Sequence, residues 1–280
     1  MPSRTATALG MGAILLWATL ASLTVLSGRL PPFQTTAIAF TIGGAVIGLA
    51  AVARGRTAFM MPTPASLALG IYGLFGFHFF LFLALRRAPP VEANLINYLW
   101  PLLIVVLAPV IVPDVHFSRR HGLAALLGFA GAALLITAGT ATLGRGELAG
   151  YAFAAASALI WSTYSLMTRR FRHFPTAYVS WFCLASGLAS LGCHFALEPR
   201  YWPREAEWLY LIALGLGPMG AAFFLWDRAM KHGDPRVIGN LAYLAPLIST
   251  TLLVVLAGAA FTPISLMAMA LILAGAWLGR

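Results

Sequence analysis

Val91-Glu92-Ala93-Asn94-Leu95-Ile96-Asn97-Tyr98-Leu99-Trp100-Pro101-Leu102 decides the fold, because the chain repeats it at Arg236-Val237-Ile238-Gly239-Asn240-Leu241-Ala242-Tyr243-Leu244-Ala245-Pro246-Leu247. Each copy sets a tyrosine three positions before a proline inside an otherwise apolar run. Proline lacks a backbone N–H and crowds the carbonyl four residues back, so Pro101 frees the Asn97 carbonyl and Pro246 that of Ala242. Unpaired backbone at membrane depth needs protein or a water-filled cavity beside it. A single kink would fit any packed bundle; two at matching places imply a cavity between the helices that carry them.

The repeat extends along the whole chain at an offset of 144 or 145 residues. Trp17 meets Trp161, Pro31 meets Pro175, Pro90 meets Pro235, Phe117 meets Phe261, and Gly131-Ala132 meets Gly275-Ala276. Runs of about 20 apolar residues are needed to cross roughly 30 Å of hydrocarbon as helix. Ten are predicted, at 8–26, 33–52, 66–85, 90–112, 122–140, 148–168, 176–197, 208–230, 235–257 and 264–279. The expected fold is therefore all-α and integral to the membrane, with residues 1–143 and 144–280 as two five-helix copies. An odd helix count inverts the second copy relative to the first, as in many transporters.

Composition agrees with a membrane chain and excludes a soluble globule, since only 9% of residues are charged and the mean hydropathy is +0.86, against a charged fraction of about 25% in soluble domains. The net charge of +10 does not imply nucleic acid, because the arginines sit in short connections. Twelve of the 18 basic residues fall at the termini and in the even-numbered connections, which predicts that both termini are cytoplasmic. The first apolar run carries Trp17 in mid-span and exceeds a usual signal-peptide core, so it reads as a retained helix. Cys183 and Cys193 lie about 15 Å apart along one predicted helix, too far for a bridge.

Chemistry is sparse. All eight acidic residues fall in connections or near predicted helix ends, and the one lysine, Lys231, falls in a connection. No metal set and no catalytic constellation is apparent, so an intramembrane enzyme is disfavoured and neither a metal nor a cofactor is expected. His78 sits deep in the third run with Phe75, Phe79 and Phe82 at helical spacing; it reads either as a substrate or proton-linked group or as a neutral histidine bonded to a carbonyl. Asn94, Asn97, Tyr98 and Pro101 share one helix face, flanked by Trp100, and Asn240 and Tyr243 repeat part of it. Trp17 and Trp161 lie mid-span, although tryptophan normally belongs at the bilayer interface. These residues predict a chamber of aromatic walls and amides without fixed charge. It suits a neutral or zwitterionic solute with a flat side chain, because aromatic faces stack on such groups or attract an ammonium.

This arrangement, with tryptophan in the first helix of each copy and Asn97-Tyr98-Leu99-Trp100-Pro101 and Ala242-Tyr243-Leu244-Ala245-Pro246 in the fourth, resembles the EamA-type members of the drug/metabolite transporter superfamily. Within it, the Asn94 to Pro101 segment and Arg86-Arg87 are similar to the bacterial aromatic amino acid exporters. The resemblance implies a bacterial inner-membrane exporter of phenylalanine, tyrosine or tryptophan, tolerant of other amino acids and of drug-like cations such as methyl viologen, acting as a monomer or dimer by alternating access. Small relatives carry an essential glutamate in their first helix; the absence of an acid there favours a facilitator over strict proton antiport. A proton-coupled multidrug or metabolite exporter and a passive channel are the alternatives.

Overall fold

The computed structural model describes residues 4–20, 23, 30–53, 61–113, 115–137, 148–256 and 262–279. They form helices without strands: α1 Arg4–Ala18, α2 Pro32–Ala53, α3 Pro64–Arg87, α4 Pro90–Ile111, α5 Arg119–Thr137, α6 Leu148–Arg170, α7 Val179–Leu197, α8 Glu205–His232, α9 in two pieces (Pro235–Ala242 and Leu244–Leu256), and α10 Pro263–Leu278. Six segments are long and apolar enough to cross a membrane: α2, α3, α4, α5, Thr176–Leu197 and α8. The chain is a multi-pass membrane protein. Each expected run has its helix, and the boundaries move for local reasons. The first helix tightens at Thr19, whose N–H and hydroxyl both bond the Leu16 carbonyl, and most of its expected continuation to Leu26 lies outside the described residues. The eighth starts three residues early because Glu207 reaches back to the Arg204 N–H at 2.7 Å.

Proline dictates the shapes of α4 and α9. The expectation was a kinked but continuous face; instead α4 breaks at Tyr98–Leu99 and α9 at Tyr243. Pro101 thereby enters the first turn of a new helix, where its missing N–H costs nothing. A second pair of irregularities keeps the same offset. α3 contains a π-helical turn over Tyr72–Gly76 and α8 one over Gly217–Ala221, and such turns release carbonyls from the helix ladder.

Packing follows the same correspondence. The most extensive helix contacts are α2 with α7 and α5 with α10, and α3 packs on α6 as α1 packs on α8. Small residues allow the close approaches: a Cβ on Gly131 would lie 2.6 Å from the Ala268 carbonyl oxygen, and one on Gly275 would lie 2.7 Å from that of Ala124. At one end of the bundle Arg120, Arg169, Arg170 and Arg236 donate to the carbonyls of Leu278, Lys231, Ile111 and His116. Three of those carbonyls close helix C-termini, where cations are favoured. At the other end Glu198 accepts from the Phe33 and Gln34 N–H groups, opening α2, and pairs with His194 and Arg86.

Candidate substrate site

Midway between these ends, α1, α4, α6 and α8 each send a tryptophan to one place. Trp17, Trp100, Trp161 and Trp226 meet with ring centroids 5.1 to 6.4 Å apart, mostly edge to face, and Phe223 packs on Trp17 and Trp161. Edge-to-face packing is the favoured geometry of such rings. Trp100, Trp161, Trp226 and Phe223 are buried, while Trp17 is half-buried. The walls expected of a chamber therefore touch one another here.

Each indole or imidazole N–H in this layer that the structure pairs has a defined acceptor. Trp17 Nε1 donates to the Pro218 carbonyl at 3.1 Å, and His78 Nδ1 donates to the Leu74 carbonyl at 2.7 Å; both acceptors belong to the π-helical turns. Trp226 Nε1 donates to Ser165 Oγ at 2.9 Å. His78 is held by its own helix, one of the two readings its sequence setting left open. Its ring faces Phe40, Phe77 and, at 6.3 Å, Phe223, the residue 145 positions on.

The asparagines and tyrosines do not all join this layer. Asn97 is buried and its Oδ1 accepts from Ser157 at 2.6 Å, whereas Asn94, one turn earlier in the same helical piece, is exposed. Asn240 lies against Gly279 with its amide directed at the His121 carbonyl, between α5, α9 and α10. Tyr243 is fully buried with Val105, Ala125 and Ile272, and its hydroxyl enters the break of α4. Tyr98 is half-buried at that break. Asn240 and Tyr243 thus brace the fourth helix and the α5–α10 pair, and stand apart from the tryptophans.

Sequence reasoning missed Trp226, Phe223 and Phe40. The repeat itself carried a signal for one of them, since Phe223 is the counterpart of His78. It also misread Lys231, which lies buried inside α8, with Nζ 2.7 Å from Asp227, 2.9 Å from the Phe174 carbonyl and 3.9 Å from the Phe174 ring centroid. The fixed charges expected in connections or near helix ends thus include a buried pair that begins a single residue beyond Trp226. Among the described residues no group of three or more metal-ligating side chains occurs.

The EamA-like transporter family model matches this sequence twice, at residues 4–137 and 148–279. The chain belongs to the EamA-like transporter family. As a member of that family, and so of the drug/metabolite transporter superfamily, it is a transporter and not an enzyme. It is 48% identical to the aromatic amino acid exporter YddG of Ancylobacter novellus over 99% of this chain and 97% of that one. It is 27% identical to the aromatic amino acid exporter YddG of Salmonella typhimurium over 90% of this chain and 88% of that one. A crystal structure of a 47% identical protein matches this EamA fold with a TM-score of 0.93, covering 99% of this chain and 98% of the other.

Proposed function

We propose that this chain exports aromatic and other neutral amino acids across the bacterial inner membrane by alternating access, as a facilitator. The observation that carries the reading is the gathering of Trp17, Trp100, Trp161 and Trp226 at mid-bundle, each from a different helix. A flat side chain entering between these rings replaces ring–ring contacts with ring–substrate contacts of similar worth, about 0.5 to 1.5 kcal/mol each. The same faces attract an organic cation, which extends the substrate range to compounds such as methyl viologen. Asn97, Tyr98 and His78 border this layer and supply its polar contacts, while Pro101, Pro246, Asn240 and Tyr243 shape the helices that open it.

The two halves, 1–143 and 144–280, act as inverted copies that rock about the aromatic layer. The twofold family match, the π-helical turns at one offset and the paired helix contacts support this. Both termini lie on the cytoplasmic side, as the end where four arginines bond carbonyls is also the end with most basic connections. One chain contains both copies and is the working unit.

Proteoliposomes loaded with unlabelled phenylalanine and offered labelled phenylalanine test the reading. Counterflow that saturates and persists without a pH gradient is expected, with tyrosine, tryptophan and methyl viologen competing. Flux that never saturates indicates a channel, and flux that requires the gradient indicates proton coupling.

A further inference from the structure

A groove of about 440 Å³ runs along the outside of the bundle between α2, the turn before α7, and α8. Its floor and walls are Val46, Ala50, Ala177, Ala221 and Leu225, and its outer end carries Arg228 and His232. The small alanines leave the hollow, and the two basic residues lie four apart, on one face of α8. Both are exposed, and Arg228 makes no hydrogen bond or ion pair among the described residues. An exposed guanidinium at the rim of an apolar hollow in a membrane helix is matched by an anionic headgroup with an acyl chain behind it.

The dimensions agree. From Ala221 to His232 the groove follows α8 for roughly 16 Å at about 1.5 Å per residue, which is about half of the ~30 Å hydrocarbon core. It is one leaflet deep, polar only at the surface end. From these features we infer that the groove is a binding site for one anionic glycerophospholipid, with an acyl chain along the α2–α8 cleft and the phosphate on Arg228 and His232. Arginine recognises phosphate through paired N–H donors, and basic residues at this depth favour acidic lipids. The site is distinct from the aromatic layer. It begins at Ala221, the last residue of the π-helical turn whose Pro218 carbonyl holds Trp17.

The test uses the full chain in nanodiscs made of phosphatidylglycerol and phosphatidylcholine in equal parts, with retained lipid read by native mass spectrometry. One phosphatidylglycerol should be retained per chain with a preference of about fivefold, the ratio that about 1 kcal/mol from the single arginine gives. The preference should fall to parity in the R228Q/H232Q double variant, whose phenylalanine counterflow in pure phosphatidylcholine should match the wild type. Ala50→Leu, which fills the groove without touching its charges, should abolish retention, and inorganic phosphate added to the mixed-lipid discs should not displace the retained phosphatidylglycerol. Equal retention of both lipids by the wild type overturns the site, as does a preference that survives both variants. So does a dimer dissolved by Ala50→Leu, which would make a second copy the occupant. Transport failure in the wild type would bear only on the proposed function.

Discussion

The Tyr243 phenol stands where Leu102 would otherwise bond its own helix: the Leu102 N–H donates to the Tyr243 oxygen at 3.1 Å, and that hydroxyl donates to the Tyr98 carbonyl at 3.4 Å. The break that Pro101 imposes on α4 is thus filled by a side chain from α9. The repeat predicts a mirror contact from Tyr98 into α9, yet Tyr98 stays half-buried. Gly128 lies under the Tyr243 ring, where a Cβ would come within 2.4 Å of it. At the 144-residue offset the counterpart of Gly128 is Ile272, so the glycine that admits the Tyr243 ring has no equivalent in the second copy.

Tyr243→Phe should therefore leave the Leu102 N–H buried without its partner and lower stability by about 1 to 3 kcal/mol. Thermal unfolding in detergent reads the loss. Gly128→Val, which drives the ring out by bulk, should lower the midpoint further. An unchanged midpoint in both would show that the hydroxyl does not hold the break.

Trp17 makes two kinds of contact that different replacements separate. Trp17→Phe keeps an aromatic ring and loses the 3.1 Å bond to Pro218, while Trp17→Ala loses both. If the π-helical carbonyl orients the ring, phenylalanine counterflow should fall several-fold in Trp17→Phe and by tenfold or so in Trp17→Ala, the latter matching about 1.4 kcal/mol of lost ring contact. Full activity of Trp17→Ala in correctly inserted protein would remove the aromatic layer from the mechanism.

The repeat, the prolines and the mid-span tryptophans were legible because each is a residue type out of place in a lipid-facing helix. The π-helical turns were not, since glycine and proline at 73, 76, 217 and 218 read equally well as close packing. Asn240 and Tyr243 lie away from the tryptophans for a geometric reason. Spacing along a helix fixes which residues share a face, but not which neighbour that face meets, and a break at Tyr243 turns the face midway. Lys231 was misread because hydropathy alone places a lysine near a helix end in water. Its four-residue spacing from Asp227 was the signal that the two charges could leave water together.

That pair supports a stability prediction. Lys231 and Asp227 are both about 1% exposed, and breaking a buried pair by removing one member costs about 3 to 5 kcal/mol because the other charge is left in a low-dielectric interior. Lys231→Met should thus yield little folded protein, while Lys231→Met combined with Asp227→Leu should recover most of the melting midpoint. A single variant as stable as the double would mean that Asp227 is already neutral in the wild type.

Asp234, in the connection between α8 and α9, gives the protein an acid limb. Burial opposes its charge, but the Arg236 side chain and backbone N–H bond it at 2.6 to 3.2 Å, and together they hold the carboxyl below the usual carboxylate range. A carboxyl whose folded pKa is depressed stabilises the fold above its unfolded pKa, and the contribution disappears as pH falls through the folded value. Asp234→Asn keeps an acceptor for the Arg236 N–H and removes the titration. Its melting midpoint should be lower than wild type at pH 7, and the two curves should converge as the pH drops below the ordinary carboxylate range of about 4. Parallel curves across that range would assign the acid limb to another carboxylate.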